Sequence, residues 1–174
     1  MSQAEIAGGK VSPKGELPRP GYRLRDFVLK NADGHEVHLS DYRGRSNLIL
    51  IFEARRGDCA ALLRDLASQY VRVREEQAEV LVIAPESAVQ KRSPQLPFVI
   101  LSDSHRSIQA EYGLQTGGEP VSGIFIADRF GELTASYVGS EVANATSASI
   151  LKWLEFINSQ CPECEPPEWP LEDS

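Results

Sequence analysis

At 174 residues, 41% hydrophobic and 25% charged, the chain is long enough to bury a core of its own without staples. The formal net charge of −7 argues against a nucleic-acid face, which needs a basic stripe. Five of the acids lie between Glu163 and Ser174 with no base among them, leaving about −2 for the rest. The longest apolar run is too short to span a bilayer, and MSQAEIAGGKVSPKGELPRPG lacks the apolar core of an export signal. The expected setting is therefore the cytoplasm, with neither membrane nor nucleic acid as partner. Three cysteines do not make a disulfide framework; in a reducing compartment they point to redox or metal chemistry, or to nothing at all.

Residues 1–20, rich in Gly, Pro, Ser and charge, read as a flexible arm. Tyr22 to Leu29 alternates, Asn31-Ala32-Asp33-Gly34 is a turn, and His35 to Leu39 alternates again, which predicts a β-hairpin. Leu39 to Gly44 is a short turn or helical cap. Leu48 to Phe52 is an uninterrupted apolar run, the mark of a strand buried on both faces. The charged turn Glu53 to Asp58 follows. From Cys59 onward Leu62, Leu63, Leu66, Tyr70 and Val73 recur at three-to-four spacing, predicting one amphipathic helix of about four turns. Glu79 to Ala84 is a second buried strand, so strand, helix and strand make a parallel right-handed unit. Ser87 to Ser93 suggests a short helix, Phe98 to Leu101 a third strand, and His105 to Tyr112 a short helix capped by Gly113. Gln115 to Val121 reads as a loop. Gly123–Ala127 and Leu133–Val138 flank Asp128-Arg129-Phe130-Gly131 as a second hairpin. Ala145 to Asn158 is the last helix, with Ile150, Leu151, Leu154 and Ile157 on its inner face. The remainder holds four prolines and no regular element. The expected division is an arm over 1–20, one α/β domain over 21–159, and an acidic Pro-rich tail over 160–174.

This order predicts an α/β fold: a three-layer sandwich of thioredoxin-like layout, with a mixed central sheet, an added N-terminal hairpin and helices on both faces. The residues also carry a family likeness. Asp26-Phe27-Val28-Leu29, the run from Gly34 through Val37 and Leu39-Ser40-Asp41-Tyr42-Arg43-Gly44, and Leu48 to Phe52 resemble the opening of the redoxin/peroxiredoxin family, of alkyl hydroperoxide reductase and thiol-specific antioxidant type. Cys59 followed by Leu63 is similar to that family's peroxidatic cysteine in its helix. Leu101 and Asp103, Tyr112-Gly113-Leu114, and Phe125-Ile126-Ala127-Asp128 with Gly131 resemble its later landmarks in order. The pattern departs at the site. The family's Pro-x-x-x-Thr-x-x-Cys reads Phe52, Arg56 and Cys59 here, a Glu three residues beyond the cysteine is Leu62, and the family's supporting Arg falls at Ser122.

The resemblance implies a thiol oxidoreductase in which Cys59 reduces hydroperoxides or exchanges with a dithiol partner. The chemistry requires a thiolate, which a helix start and nearby cations favour; Arg55 and Arg56 are the candidate cations, and Asp58 opposes it. The other reading of Cys59 follows from its phase with Leu62, Leu63, Leu66 and Tyr70: a small buried core residue in a domain kept for binding or structure. Cys161-Pro162-Glu163-Cys164 has the spacing of a redox pair or half a zinc site. One of its thiols would resolve oxidised Cys59, the pair would cycle by itself, or two subunits would pool four thiolates around zinc as a homodimer. No organic cofactor is called for. The partners implied are a hydroperoxide and a small thiol or dithiol reductant.

Overall fold

The computed structural model describes residues 10–55, 57–85 and 96–160. Nine strands and four α-helices are formed among them: β1 (Val28–Asn31), β2 (Glu36–His38), β3 (Asn47–Phe52), α1 (Ala60–Ser68), α2 (Tyr70–Glu75), β4 (Ala78–Ala84), β5 (Val99–Ser102), α3 (Ser107–Glu111), β6 (Gln115–Thr116), β7 (Glu119–Pro120), β8 (Gly123–Ala127), β9 (Leu133–Val138) and α4 (Ser147–Ser159). Seven strands form one sheet in the order β2-β1-β5-β4-β3-β8-β9. The three that run β5-β4-β3 are mutually parallel, and β3 pairs antiparallel with β8, so the sheet is mixed.

Every residue of β3 is buried, as its uniform apolar run requires of a strand covered on both faces. Its side chains alternate between two cores. Ile49 and Ile51 join Val80, Val82, Ile124 and Ile126 beneath α1, α2 and α4, whose Leu63, Leu66, Val73, Ile150 and Leu154 close that face. Leu48, Leu50 and Phe52 join Leu81, Ile83 and Phe125 on the other face, covered by Leu24, Phe27, Leu39, Tyr112 and Leu114. Here Tyr112 is the hub. Its ring lies 4.9 Å from Phe52 and 5.7 Å from Phe125, and its hydroxyl donates to the Arg25 carbonyl. The thioredoxin-like sandwich predicted from the strand and helix pattern is thus the observed architecture, with the added hairpin formed by β1 and β2.

Several local expectations change. The first hairpin strand begins at Val28 rather than Tyr22: Leu24 and Phe27 turn into the core, so the Tyr22–Phe27 alternation belongs to a packed extended segment. From Lys10 onward the expected arm is held against the domain, Ser12 N–H donating to the Arg23 carbonyl and Gly15 N–H to that of Glu111. The single helix expected after Cys59 is two. At Gln69 the backbone leaves helical values, and its N–H is shared between the Asp65 and Leu66 carbonyls. Past that break Val73 is wholly buried and Val71 is exposed. The expected loop from Gln115 to Val121 contains the small β6–β7 ribbon around Gly117-Gly118. The helix expected over Ser87 to Ser93 lies outside the described residues, as does the tail with Cys161 and Cys164.

Two hydrogen-bonded caps join the helical layer to itself. Thr146 Oγ1 accepts the N–H of Ser149 at 3.0 Å, starting α4, and the N–H of Ser147 donates to Asp65 of α1 at 3.0 Å. The Ser147 hydroxyl first, and that backbone bond second, hold the Asp65 carboxyl below its ordinary range. Among the described residues no helix is long and apolar enough to cross a membrane.

Two glycines separate conformational from steric demands. Gly34 (φ +82°) has open space where a Cβ would lie, whereas a Cβ on Gly113 (φ +70°) would sit 2.5 Å from the backbone nitrogen of Leu17. Gly34→Ala is expected to cost about 1 kcal/mol from the left-handed backbone alone. Gly113→Ala should cost at least about twice that, because a rigid backbone must move as well. Urea unfolding of the two variants measures the difference.

Candidate functional site

The site is built where β3 runs out. Its last residue, Phe52, still pairs with Ile83 of β4 and Gly123 of β8. Beyond it the N–H of Glu53 reaches the Ile83 carbonyl, and then both neighbours are left behind. Ala54 is 2% exposed, so its peptide groups need partners that the sheet no longer supplies. Side chains from elsewhere provide them. Ser122 Oγ accepts the N–H of Ala54 at 2.9 Å, and the guanidinium of Arg106 donates to its carbonyl at 2.5 Å.

The turn then closes on itself. Asp58 Oδ2 accepts the N–H of Arg55 at 3.1 Å and the hydroxyl of Ser122 at 2.8 Å. Glu53, only 1% exposed, accepts the N–H of Cys59 at 3.1 Å. Cys59 is the N-cap of α1, at φ −110° and ψ 15°, and makes no side-chain cap. It therefore stands just outside the first helical turn, where the sequence places it inside. Its side chain is 2% exposed and packs with Leu62, Leu63 and Leu66. The residue is thus both the helix-start cysteine and the buried core residue that the spacing offered as alternatives.

Electrostatics at this point favour the thiol. Burial is the larger cause and the Asp58 carboxylate the second, and together they push Cys59 from 9.0 up to about 12. At the positive end of α1 one of the free donors, the Cys59 N–H, is spent on Glu53. Arg55 was a candidate activating cation; it is exposed and takes part in the turn through its backbone, and Arg56 lies outside the described residues. Among the described residues no group of three metal-ligating side chains is close enough to hold a metal ion.

Three participants escape a reading of the sequence. Ser122 is visible there as the slot of a missing arginine but not as the hydrogen-bond partner of Ala54 and Asp58. Glu53 looks like a solvated turn residue. Arg106 sits 52 residues from Ala54, and the one signal for it is structural: a non-glycine in the left-handed region, φ +53°.

The AhpC/TSA family model matches residues 20–136. The chain belongs to that family. Among curated relatives, it is 26% identical over 140 residues to "Peroxiredoxin Q, chloroplastic" of Oryza sativa subsp. japonica and 27% identical over 140 residues to that of Triticum aestivum. Each alignment takes in 76% of this chain and 61% of the relative, so the chain spans about three fifths of their length. Among solved structures, the reduced 2-Cys peroxiredoxin of Plasmodium vivax superposes with a TM-score of 0.69 at 17% identity, covering 80% of this chain and 96% of that one. Peroxidoxin BcpB of Mycobacterium tuberculosis gives 0.67 at 20% identity, covering 80% and 98%. Likeness at such identities establishes the fold.

Because the folded thiol keeps its proton to about 12 while an unfolded one loses it near 9.0, Cys59 contributes stability below pH 9 that disappears as pH rises through that window. The stability advantage of wild type over Cys59→Ala should shrink above pH 9 by up to about 1.4 kcal/mol per pH unit. Chemical denaturation of both proteins between pH 7 and about 10.5 checks this. Asp58→Asn keeps the acceptor for Ser122 but loses the charge. It should lower the pH midpoint of Cys59 alkylation by about one unit, burial being the larger cause.

Proposed function

We propose that this chain is a peroxiredoxin-like thiol oxidoreductase in which Cys59 is the reacting group. The observation that carries the reading is position: within an AhpC/TSA domain, Cys59 stands at the start of α1 directly beyond the C-terminal end of β3, the edge of an α/β sheet where function gathers. The Cys59 thiolate attacks one oxygen of a hydroperoxide. An S–O bond forms as the O–O bond breaks, sulfur is oxidised to sulfenic acid, and the peroxide leaves as water or an alcohol after taking a proton. A thiol then attacks that sulfur, releasing water and forming a disulfide, which a further thiol or dithiol reduces. Cys161 or Cys164 would serve as the first of these thiols within the chain, or a small reductant would.

The closed arrangement is not the reactive one. With the thiol pushed to about 12, roughly one molecule in a hundred thousand would hold a thiolate at pH 7. Reaction therefore proceeds through molecules in which the Glu53–Cys59 turn has opened and the sulfur has met water. A domain of the same fold used for binding is the second reading, favoured by the burial of Cys59 and the charge of Asp58 beside it.

Hydrogen peroxide consumption with dithiothreitol as reductant separates the two. Wild type should turn over and Cys59→Ser should not. Between pH 7 and pH 9 the rate should rise by up to about tenfold per unit, as expected of a thiol protonated throughout that range. Equal consumption by wild type and Cys59→Ser above the protein-free rate would move the chemistry to Cys161 and Cys164. No consumption by either above that rate would overturn the oxidoreductase reading and leave the binding module.

A further inference from the structure

Ala54 is the last buried residue of the chain before the turn that carries Cys59, and both of its peptide groups are held by side chains from distant segments. Ser122 takes the N–H. Arg106 takes the carbonyl, and the way it does so is costly. Its backbone lies at φ +53° and ψ 26°, a region that L side chains avoid at about 1–2 kcal/mol. The surroundings enforce that placement. Asp103, itself buried, gathers the starting turn of α3 by accepting the Ser107 hydroxyl and the N–H groups of Ile108 and Gln109, while the N–H of Arg106 donates to the Asp103 carbonyl at 2.9 Å. Gln109, also buried, accepts from the Arg106 guanidinium at 3.3 Å and donates to the carbonyl of Val121 at 2.9 Å. Val121 precedes Ser122, so the two holders of Ala54 are themselves tied together. Non-glycine residues held in this backbone region persist where surrounding structure over-determines them, and they gather at functional sites.

We infer that Arg106 is the positioning residue of the Cys59 turn: by holding the Ala54 carbonyl it keeps Glu53 to Cys59 closed and the sulfur buried. It does not act as the cation of a thiolate. The causes that set the state of Cys59 are burial and Asp58, and the Arg106 guanidinium is directed at a carbonyl and an amide. Ionic groups bonded to the turn include Glu53 and Asp58 from the turn itself and Arg106 from the side of α3. The device concerns the same sulfur as the proposed peroxidase reading and takes its purpose from it, but no peroxide is needed to examine it.

The test is site-resolved alkylation of the 174-residue chain by iodoacetamide, followed by peptide mass spectrometry at Cys59 across pH. Arg106→Gly removes the guanidinium while accepting the left-handed backbone, so relief of strain offsets lost hydrogen bonds and the thermal midpoint should move by no more than about 4 °C. Cys59 alkylation at pH 8 should rise at least about tenfold, with its pH midpoint about one unit lower. Arg106→Lys, which keeps a charged donor for the Ala54 carbonyl, should restore slow alkylation. Should the glycine variant fail to fold, Arg106→Gln repeats the measurement. An alkylation rate and pH midpoint at wild-type values in a folded Arg106→Gly or Arg106→Gln protein would overturn the inference. So would a rise no larger than the change in global unfolding explains. Either result is independent of whether the protein consumes peroxide.

Discussion

A buried chain that runs on past its last paired strand residue leaves peptide groups with no ladder to join, and that constraint governs this molecule's functional edge. β3 is paired on both sides up to Phe52 and covered on both faces, so it cannot fray into water where it ends. Ala54 must find partners inside the protein. The chain meets the requirement with Ser122, which enters just ahead of β8, and Arg106, which enters ahead of α3. The following turn adds bonds of its own, Asp58 accepting the N–H of Arg55 and Glu53 that of Cys59.

The same turn shows how one set of groups serves stability at the expense of reactivity. Carboxylates near a helix start stabilise the helix, and here Glu53 and Asp58 occupy the ground before α1. A thiolate in that position would have drawn on the same donors and the same field. With Glu53 accepting the N–H of Cys59 and Asp58 adding its charge, the sulfur is left neutral and packed against leucines. The resemblance read from the sequence expected a threonine and an arginine in the slots that this chain fills with Arg56 and Ser122. At 122 this chain has a hydroxyl, which donates to Asp58 and accepts the N–H of Ala54.

Beneath the site the two cores divide their duties. The face under α1, α2 and α4 receives Cys59 itself, continuous with Leu62, Leu63 and Leu66. The opposite face carries the aromatic cluster of Phe52, Tyr112 and Phe125, directly under the end of β3. Phe52 stands where the resemblance expected a proline, and its ring is what Tyr112 packs upon. The α3 segment that presents Arg106 is therefore anchored through Tyr112 to the very strand whose end Arg106 holds.

The amino-acid sequence alone determined the layered fold, the parallel β3–β4 pair, the second hairpin and the cysteine at the head of the first helix. These follow from local signals: uninterrupted apolar runs, three-to-four spacing, and Gly- or Asp-bearing turns. The family likeness was legible for the same reason, since its landmarks are short motifs in a set order. Only the tertiary structure decided the break at Gln69, the packing of residues 10–27 on the second core, and the state of Cys59. That state depends on burial and on Asp58, Ser122, Glu53 and Arg106 meeting around one turn. Arg106 and Ser122 lie 52 and 68 residues away from the Ala54 they hold. No periodicity records a pairing across such a distance, because the bond forms only after the sheet has brought the ends of β3, β5 and β8 to one edge.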